Sequence, residues 1–278
     1  MRNIERRHKF PPLFPGRSLK KIVPAAILAL LASPIQAAEQ VESNVLTLGG
    51  GVDVAPRYSG SNKSRATTAV VLDYAMANGF FISTTRGIGY GNHIGKLDYS
   101  AGLSYRPGRK DRDVGSDSIS YGSDELRGVG DIKGSAIVVP GLGYEVNEWL
   151  SLQLQAEVPV SERNNGEAVH FSIVSPLFKS WKNTVTLALN SSWGSRKYMQ
   201  TYYGVNAAQS AGSGFARYDA GAGIYDYSLN IDWDHRFNQN WSVTAAAGVT
   251  QLTGDASNSP LVHRKTSPVG GLKVTYRF

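Results

Sequence analysis

The chain ends with Leu272-Lys273-Val274-Thr275-Tyr276-Arg277-Phe278, a stretch in which apolar and polar side chains alternate strictly. A two-residue period is typical of a β-strand with one apolar and one polar face. The stretch also closes on an aromatic residue, which resembles the signal read by the outer-membrane insertion machinery. This segment predicts the last strand of a transmembrane β-barrel.

The same alternation recurs upstream and predicts an all-β, antiparallel up-and-down barrel. In lipid every backbone group must be paired, so such strands have to close on themselves. A soluble β-sandwich also alternates, but aromatic residues at the ends of the apolar faces favour a lipid-facing girdle. Eleven candidate strands can be read from the sequence: 44–55, 66–75, 79–90, 96–106, 131–145, 149–159, 167–179, 183–193, 219–236, 240–252 and 268–278.

The number of strands has to be corrected for parity. Single-chain bacterial barrels have an even number of strands. The sequence shows short turns at 146–148, 180–182 and 238–240 and longer connections at 107–130, 194–218 and 253–267. Counted back from a periplasmic C-terminus, the connection 107–130 lies outside; counted forward from a periplasmic N-terminus, it lies inside. The two counts therefore disagree by one strand. We therefore expect twelve strands, with one missed before residue 106, and ten as the alternative.

The N-terminus carries the three parts of a secretory leader. Seven basic residues precede an apolar stretch at 22–32, and a small-residue cleavage site ends at Ala37. The apolar stretch is shorter than the roughly 20 residues that a membrane-spanning helix needs. We therefore predict a cleaved signal peptide at 1–37, a barrel at 38–278, and localisation in the cell outer membrane.

Charge and cysteine content exclude several classes of protein. The chain has 29 basic and 22 acidic residues, and its net charge is +7. Seven of the basic residues and one acid lie in the leader, which leaves 22 basic and 21 acidic residues in the mature part. This balance gives no reason to expect a nucleic acid partner. With no cysteine, disulfides and cysteine-ligated metals are also excluded.

No catalytic or metal-binding constellation can be recognised. The chain lacks a Gly-x-Ser-x-Gly elbow, and its histidines are not spaced as metal ligands. His170 could face the lumen near a serine, as a barrel lipase would require, but a lone histidine on a strand is more often an ordinary polar residue. The acids of 111–125 do not fit a calcium loop and predict a solvated charged loop. We expect no catalytic residues, metal or cofactor, and no enzyme.

Four acidic residues are predicted to line the lumen: Glu157, Asp226, Asp232 and Asp234. Basic residues that could oppose them are Lys96, Lys133, Lys273 and Arg277. Because buried charge normally requires a partner, we favour pairing across the lumen that holds it closed. The alternative is a passage that prefers cations.

Four motifs, in this order, resemble those of the MltA-interacting protein (MipA/OmpV) family. They are Tyr58-Ser59-Gly60-Ser61, Leu126-Arg127-Gly128-Val129-Gly130-Asp131-Ile132, Gly194-Ser195-Arg196-Lys197-Tyr198 with Thr201-Tyr202-Tyr203-Gly204-Val205, and Asp255-Ala256-Ser257-Asn258-Ser259-Pro260-Leu261-Val262. In the last motif a leucine replaces the usual isoleucine. The resemblance spans essentially the whole mature chain.

The resemblance implies an outer-membrane scaffold, in contact with lipid, that brings a lytic murein transglycosylase together with a bifunctional penicillin-binding protein in peptidoglycan synthesis. It implies no catalytic residues. Two alternatives remain open, a pore for small solutes and a surface adhesin that uses the connections 107–130 and 194–218. The predicted periplasmic turns are short, so the sequence does not locate a surface for such partners.

Overall fold

The structure is a computed structural model that describes residues 43–116 and 118–278. The predicted signal peptide at 1–37 lies outside the described residues and stays a prediction. None of the helices in the described part of the chain is long and apolar enough to cross a membrane.

Twelve antiparallel strands form a closed barrel in which each strand pairs with its neighbours in sequence and the last pairs with the first. At the closure, Leu48 lies opposite Tyr276. The strands are β1 Val45–Pro56, β2 Ser64–Ala75, β3 Phe80–Ser83, β4 Gly87–Ile94, β5 Leu97–Arg106, β6 Ser135–Asn147, β7 Leu150–Pro159, β8 Ala168–Lys179, β9 Asn183–Gly194, β10 Gly223–Arg236, β11 Trp241–Leu252 and β12 Thr266–Arg277.

The expected count of twelve is confirmed, and the missed strand lies where it was expected. The candidate strand 79–90 is in fact two strands, β3 and β4, joined by a turn at residues 84–86. β3 has only four residues, which is too short to show alternation by itself. Gly87 begins β4 with a positive φ of 82°, a backbone conformation that glycine adopts without strain.

The outward face of the barrel is apolar along its length. On β10, Leu229, Ile231 and Trp233 keep 42–44% of their surface exposed, whereas Asn230 between them is buried on the inward face. Every strand pair contributes similar residues, so the apolar surface is continuous around the wall. A surface of this extent is stable only against hydrocarbon.

Tyr225 departs from the predicted alternation of β10. The pattern places it outward with Tyr227, but it is buried. The pairing of β9 with β10 shifts after Ser192, which lies opposite Asp226, while Trp193 lies opposite Ile224. Tyr225 is the extra residue of this β-bulge, and a bulge turns its side chain from one face to the other.

The two ends of the barrel differ in the length of their connections. The start of β1, the C-terminus and the turns at 76–79, 95–96, 148–149, 180–182 and 237–240 lie at one end. The other end carries the long connections 107–134, 195–222 and 253–265, which contain helices α1 Arg196–Tyr203, α2 Ala207–Ser213 and α3 Gly254–Asn258. Outer-membrane barrels have short periplasmic turns and longer extracellular loops. The first end is therefore periplasmic and the second is the outer end.

The lipid-facing position of Leu229 can be tested by a charged substitution. We expect Leu229→Arg to lower the free energy of unfolding by about 2–4 kcal/mol, because Leu229 lies near the middle of β10 and an arginine there has to be desolvated in hydrocarbon. The measurement is reversible urea unfolding in lipid vesicles. Leu229→Phe, which keeps the face apolar, should change stability by less than about 1.5 kcal/mol. Equal effects of the two substitutions would contradict the assigned face.

Candidate functional site

The outer end of the lumen is covered by four connections that pack against one another. We call this assembly the plug; it consists of residues 57–63, 107–134, 195–222 and 253–265. Two clusters of buried apolar side chains hold it together. Each cluster combines residues from at least three of these connections or the strand ends beside them, so the plug is a tertiary assembly of distant segments.

The first cluster is built on one face of α1. Ser195 caps this helix by accepting a hydrogen bond from the Tyr198 backbone N–H. Met199 and Tyr203 are four residues apart and therefore lie on the same side of the helix, where both are almost fully buried. They pack against Ala256 of α3 and against the ends of β10 and β11. The extra residue of β10, Tyr225, belongs to this cluster, so the bulge joins the barrel wall to the plug.

The second cluster surrounds Leu126, which is fully buried. Tyr58 packs beside it and donates its hydroxyl hydrogen to the Leu261 carbonyl oxygen over 2.9 Å. Burial raises the pKa of the Tyr58 hydroxyl, which therefore stays protonated and able to donate. Burying a leucine or a side chain of similar size contributes about 1.5–3 kcal/mol. The cluster therefore makes the β1–β2 turn and the 107–134 connection one packed unit.

Close backbone contact also joins two connections of the plug. Gly128 has a φ of +85°, and a side chain there would overlap the carbonyl oxygen of Gly212. Nearby, the Gly60 carbonyl oxygen accepts hydrogen bonds from the backbone N–H groups of His263 and Arg264. Glycine at 128 therefore permits both the backbone conformation and the contact with α2.

In the connection 107–134, Asp113 and Asp124 stay exposed, as its charge predicts, but the connection is also anchored to the rest of the plug. Its acids are used in ion pairs: Asp113 lies 2.6 Å from the Arg57 guanidinium and Asp131 lies 2.8 Å from the Lys110 ammonium. The hydrogen bond from Lys110 lowers the pKa of Asp131. The anchoring was missed because the apolar residues that provide it, Leu126 and Val129, are too few to give a periodic pattern.

Below the plug, a chain of polar contacts crosses the inward face of six neighbouring strands, five of which contribute side chains to it. Arg106 Nε lies 2.6 Å from Glu157 Oε2, and His170 Nε2 lies 3.6 Å from Glu157 Oε1. His170 Nδ1 lies 3.1 Å from the Ser192 hydroxyl, and Asp226 lies opposite Ser192 in the β9–β10 pair. Arg106 also donates to the carbonyl oxygens of Asn165 and Gly166. The chain joins β5 to β10 and to the connection that follows β7.

The order Ser192–His170–Glu157 matches that of a serine hydrolase, but the surroundings do not. A nucleophilic serine needs a free hydroxyl and an oxyanion hole that accepts the developing charge. Here Asp226 lies opposite Ser192 in the β9–β10 pair, where an acid opposes the build-up of negative charge, and Arg106 binds the Glu157 carboxylate. The arrangement is a polar network of two acids, one arginine, one histidine and one serine.

The other two predicted acids lie nearer the periplasm. Asp232 and Asp234 follow the inward register of β10, and Asp234 accepts a hydrogen bond from Thr244. The four acids are thus divided, with Glu157 and Asp226 in the network below the plug and Asp232 and Asp234 on the wall beneath it.

The basic residues expected to oppose these acids mostly have other partners. Lys273 lies 3.2 Å from Asp53, an inward acid of β1 that the sequence argument missed. Lys133 lies 3.7 Å from Glu162, outside the lumen, and Lys96 donates to the Val146 carbonyl oxygen at the periplasmic rim. Lys273 also interacts electrostatically with Asp232, so part of the expected opposition is present. Lys96 and Lys133 were misplaced because alternation gives the face of a side chain but not its depth. Arg106 was missed although it continues the inward register of β5.

Among the residues that the structure describes, no group of three or more His, Asp or Glu side chains could hold a metal ion.

The closed ring of strands and its apolar outer face define the class: this is an outer-membrane β-barrel protein of twelve strands. The chain belongs to the MltA-interacting protein MipA family, whose model matches residues 48–278. All four motifs noted in the sequence lie in the plug or at its junction with the wall. The residues that carry the resemblance noted in the sequence therefore help to build the plug.

Curated relatives agree with this assignment. The MltA-interacting protein of Escherichia coli strain K12 is 30% identical over 95 residues, which is 34% of this chain and 38% of that protein. The "Putative outer membrane protein YiaT" of Escherichia coli O157:H7 is 23% identical over 253 residues, which is 91% of this chain and 98% of that protein. The chain thus aligns with well under half of the first relative and nearly all of the second.

Solved structures with detectable similarity include two porins. The KdgM porin aligns with 84% of this chain and 99% of its own, with 11% identity and a TM-score of 0.45. The NanC porin aligns with 83% of this chain and 98% of its own, with 8% identity and a TM-score of 0.46.

The plug can be tested by removing one of its anchors. We expect Leu126→Ala to destabilise the plug by about 2–5 kcal/mol, because it leaves a cavity in the second cluster. Protease cleavage within 107–134 should accelerate, while the circular dichroism of the barrel stays unchanged. Arg127→Ala removes a side chain that is 74% exposed and paired only with Asp124, so its cleavage rate should stay near that of the wild type.

Proposed function

We propose that this protein is a non-enzymatic scaffold of the outer membrane that holds a lytic murein transglycosylase at the periplasmic face of the barrel. The observation that carries the proposal is the plug, because a barrel whose outer mouth is filled by packed side chains is suited to presenting a surface rather than to passing solutes. The relative named MltA-interacting protein supports a role in binding another protein. A bifunctional penicillin-binding protein is proposed as the second partner.

The absence of an enzymatic role is part of this proposal. The most reactive arrangement in the described residues, Ser192 with His170 and Glu157, has its carboxylate bound by Arg106 and a second acid, Asp226, opposite its serine. The carboxylate would have to be released before it could assist acyl transfer.

The partner would meet the periplasmic end of the barrel. Its turns are short, so the docking surface has to consist of turn residues and strand ends. Lys182 and Arg236 lie side by side there, since the Arg236 backbone N–H donates to the Lys182 carbonyl oxygen over 2.7 Å. Exposed cations at the rim of an interface mainly steer the encounter with an acidic partner surface.

A second candidate function, a cation-preferring pore, is favoured by the wall beneath the plug. Asp232 and Asp234 share the inward face there with residues that have small or no side chains, such as Gly51 and Ala246. If the plug moved aside, this part of the lumen would present acidic groups in a space that few large side chains fill.

Binding of the transglycosylase can be tested with charge reversals at the two ends. We expect the purified enzyme to bind the wild-type chain in detergent, and Lys182→Glu with Arg236→Glu to weaken binding about tenfold through loss of electrostatic steering. Surface plasmon resonance measures both rates. The matched control is Lys197→Glu, an exposed lysine of α1 at the outer end, which should leave binding unchanged. The scaffold proposal fails if the wild type does not bind.

Conductance separates the scaffold from the pore. We expect the wild-type chain to give no stable current steps in planar bilayers, and a variant that lacks residues 196–217 to give them, because the deletion removes α1 and α2 from the plug. Steps from the wild type that lose cation preference in Asp232→Asn with Asp234→Asn would establish the pore instead.

A further inference from the structure

Arg109 carries a buried positive charge inside the plug. It follows β5, and its backbone pairs with Tyr121 on one side and Ile132 on the other. Only 4% of its surface is exposed. Neither the barrel wall nor the proposed scaffold role explains why a guanidinium is placed there.

Among the described residues, only one of the three guanidinium nitrogens of Arg109 has a hydrogen-bond partner. Nη1 donates to the Tyr202 carbonyl oxygen over 2.7 Å. Nε and Nη2 are buried and have no hydrogen-bond partner within residues 43–116 and 118–278. In the same part of the chain no carboxylate lies within ion-pair distance of Arg109, although ten other ion pairs are formed elsewhere by arginine and lysine.

A buried guanidinium without a counter-ion is energetically unfavourable. Its neighbours Tyr58, Tyr202 and Tyr203 are neutral, and burial lowers the pKa of Arg109. A buried charge is normally compensated by an opposite charge and by hydrogen bonds to its remaining protons. The surroundings of Arg109 supply a single carbonyl oxygen for this purpose.

The unused atoms also define the shape of the missing group. Nε and Nη2 form one edge of the guanidinium plane, and their N–H bonds run parallel. This is the edge that binds two oxygen atoms of a carboxylate or a phosphate at the same time. We infer that the plug contains a binding site for a small oxyanion, a carboxylate or a phosphate, held by the Nε–Nη2 edge of Arg109.

Arg106 extends the site towards the lumen. Its Nη2 is likewise buried and has no hydrogen-bond partner in the described residues, while its other nitrogens bind Glu157 and two carbonyl oxygens. Tyr202 interacts electrostatically with both arginines. An anion at Arg109 would therefore lie in a positive potential to which both guanidinium groups contribute.

The test is isothermal titration calorimetry of the full chain in neutral detergent with inorganic phosphate and, separately, with acetate. Sodium chloride at equal ionic strength is the reference. We expect phosphate, acetate or both to bind the wild type and to raise its unfolding temperature. Arg109→Lys keeps the charge but loses the paired N–H groups, so affinity should fall about tenfold. Arg109→Met should abolish binding.

Two controls make the result specific. Arg127→Met removes an exposed arginine of the same connection and should leave the affinity unchanged. Asp117→Asn is measured because residue 117 lies outside the described residues; it should also leave the affinity unchanged, and a tenfold gain would identify Asp117 as the counter-ion and overturn the inference. Binding that persists in Arg109→Met, or no response of the wild type to either anion, would overturn it as well. If Arg109→Met does not fold, Arg109→Lys decides.

Discussion

The pairing of backbone N–H and C=O groups in a medium without water is the constraint on which the structure depends. Because hydrocarbon offers no hydrogen bonds, the strands are stable only as a closed ring, and the bonds between β1 and β12 complete it. Closure also fixes the direction of each side chain, since alternate residues must face lipid or lumen. The apolar face, the inward charges and the uneven ends of the barrel all follow from this condition.

The plug lies outside hydrocarbon and is stabilised differently from the wall, by the burial of apolar side chains. Its two clusters take residues from connections that are far apart in sequence, as when Tyr58 binds Leu261. Arg106 links this assembly to the wall: it pairs with Glu157 and lies over the ring of Tyr198 in α1 at 5.1 Å. Packing above and ionic contacts below therefore act together to hold the connections over the lumen.

This division of the molecule bears on its function. The family motifs lie in the plug, whereas the lipid face could be built from many apolar sequences. A packed plug suits a barrel that presents a fixed surface to a partner, and the unused edge of Arg109 gives the interior of the plug a site for an anion of defined chemistry. An anion held there would tie the connection 107–134 to α1 through Tyr202. The state of the plug could thus depend on a solute.

The sequence alone determined the barrel and, with the parity rule, its twelve strands, because a period of two residues is a local property that lipid enforces on every strand. It did not determine partners across the lumen: Lys273 pairs with Asp53, and Arg106 with Glu157, at depths that depend on the stagger between strands. Nor did it reveal the plug, whose anchors Leu126, Met199 and Leu261 are single apolar residues in polar segments. Such contacts have no period, and only the folded chain brings them together.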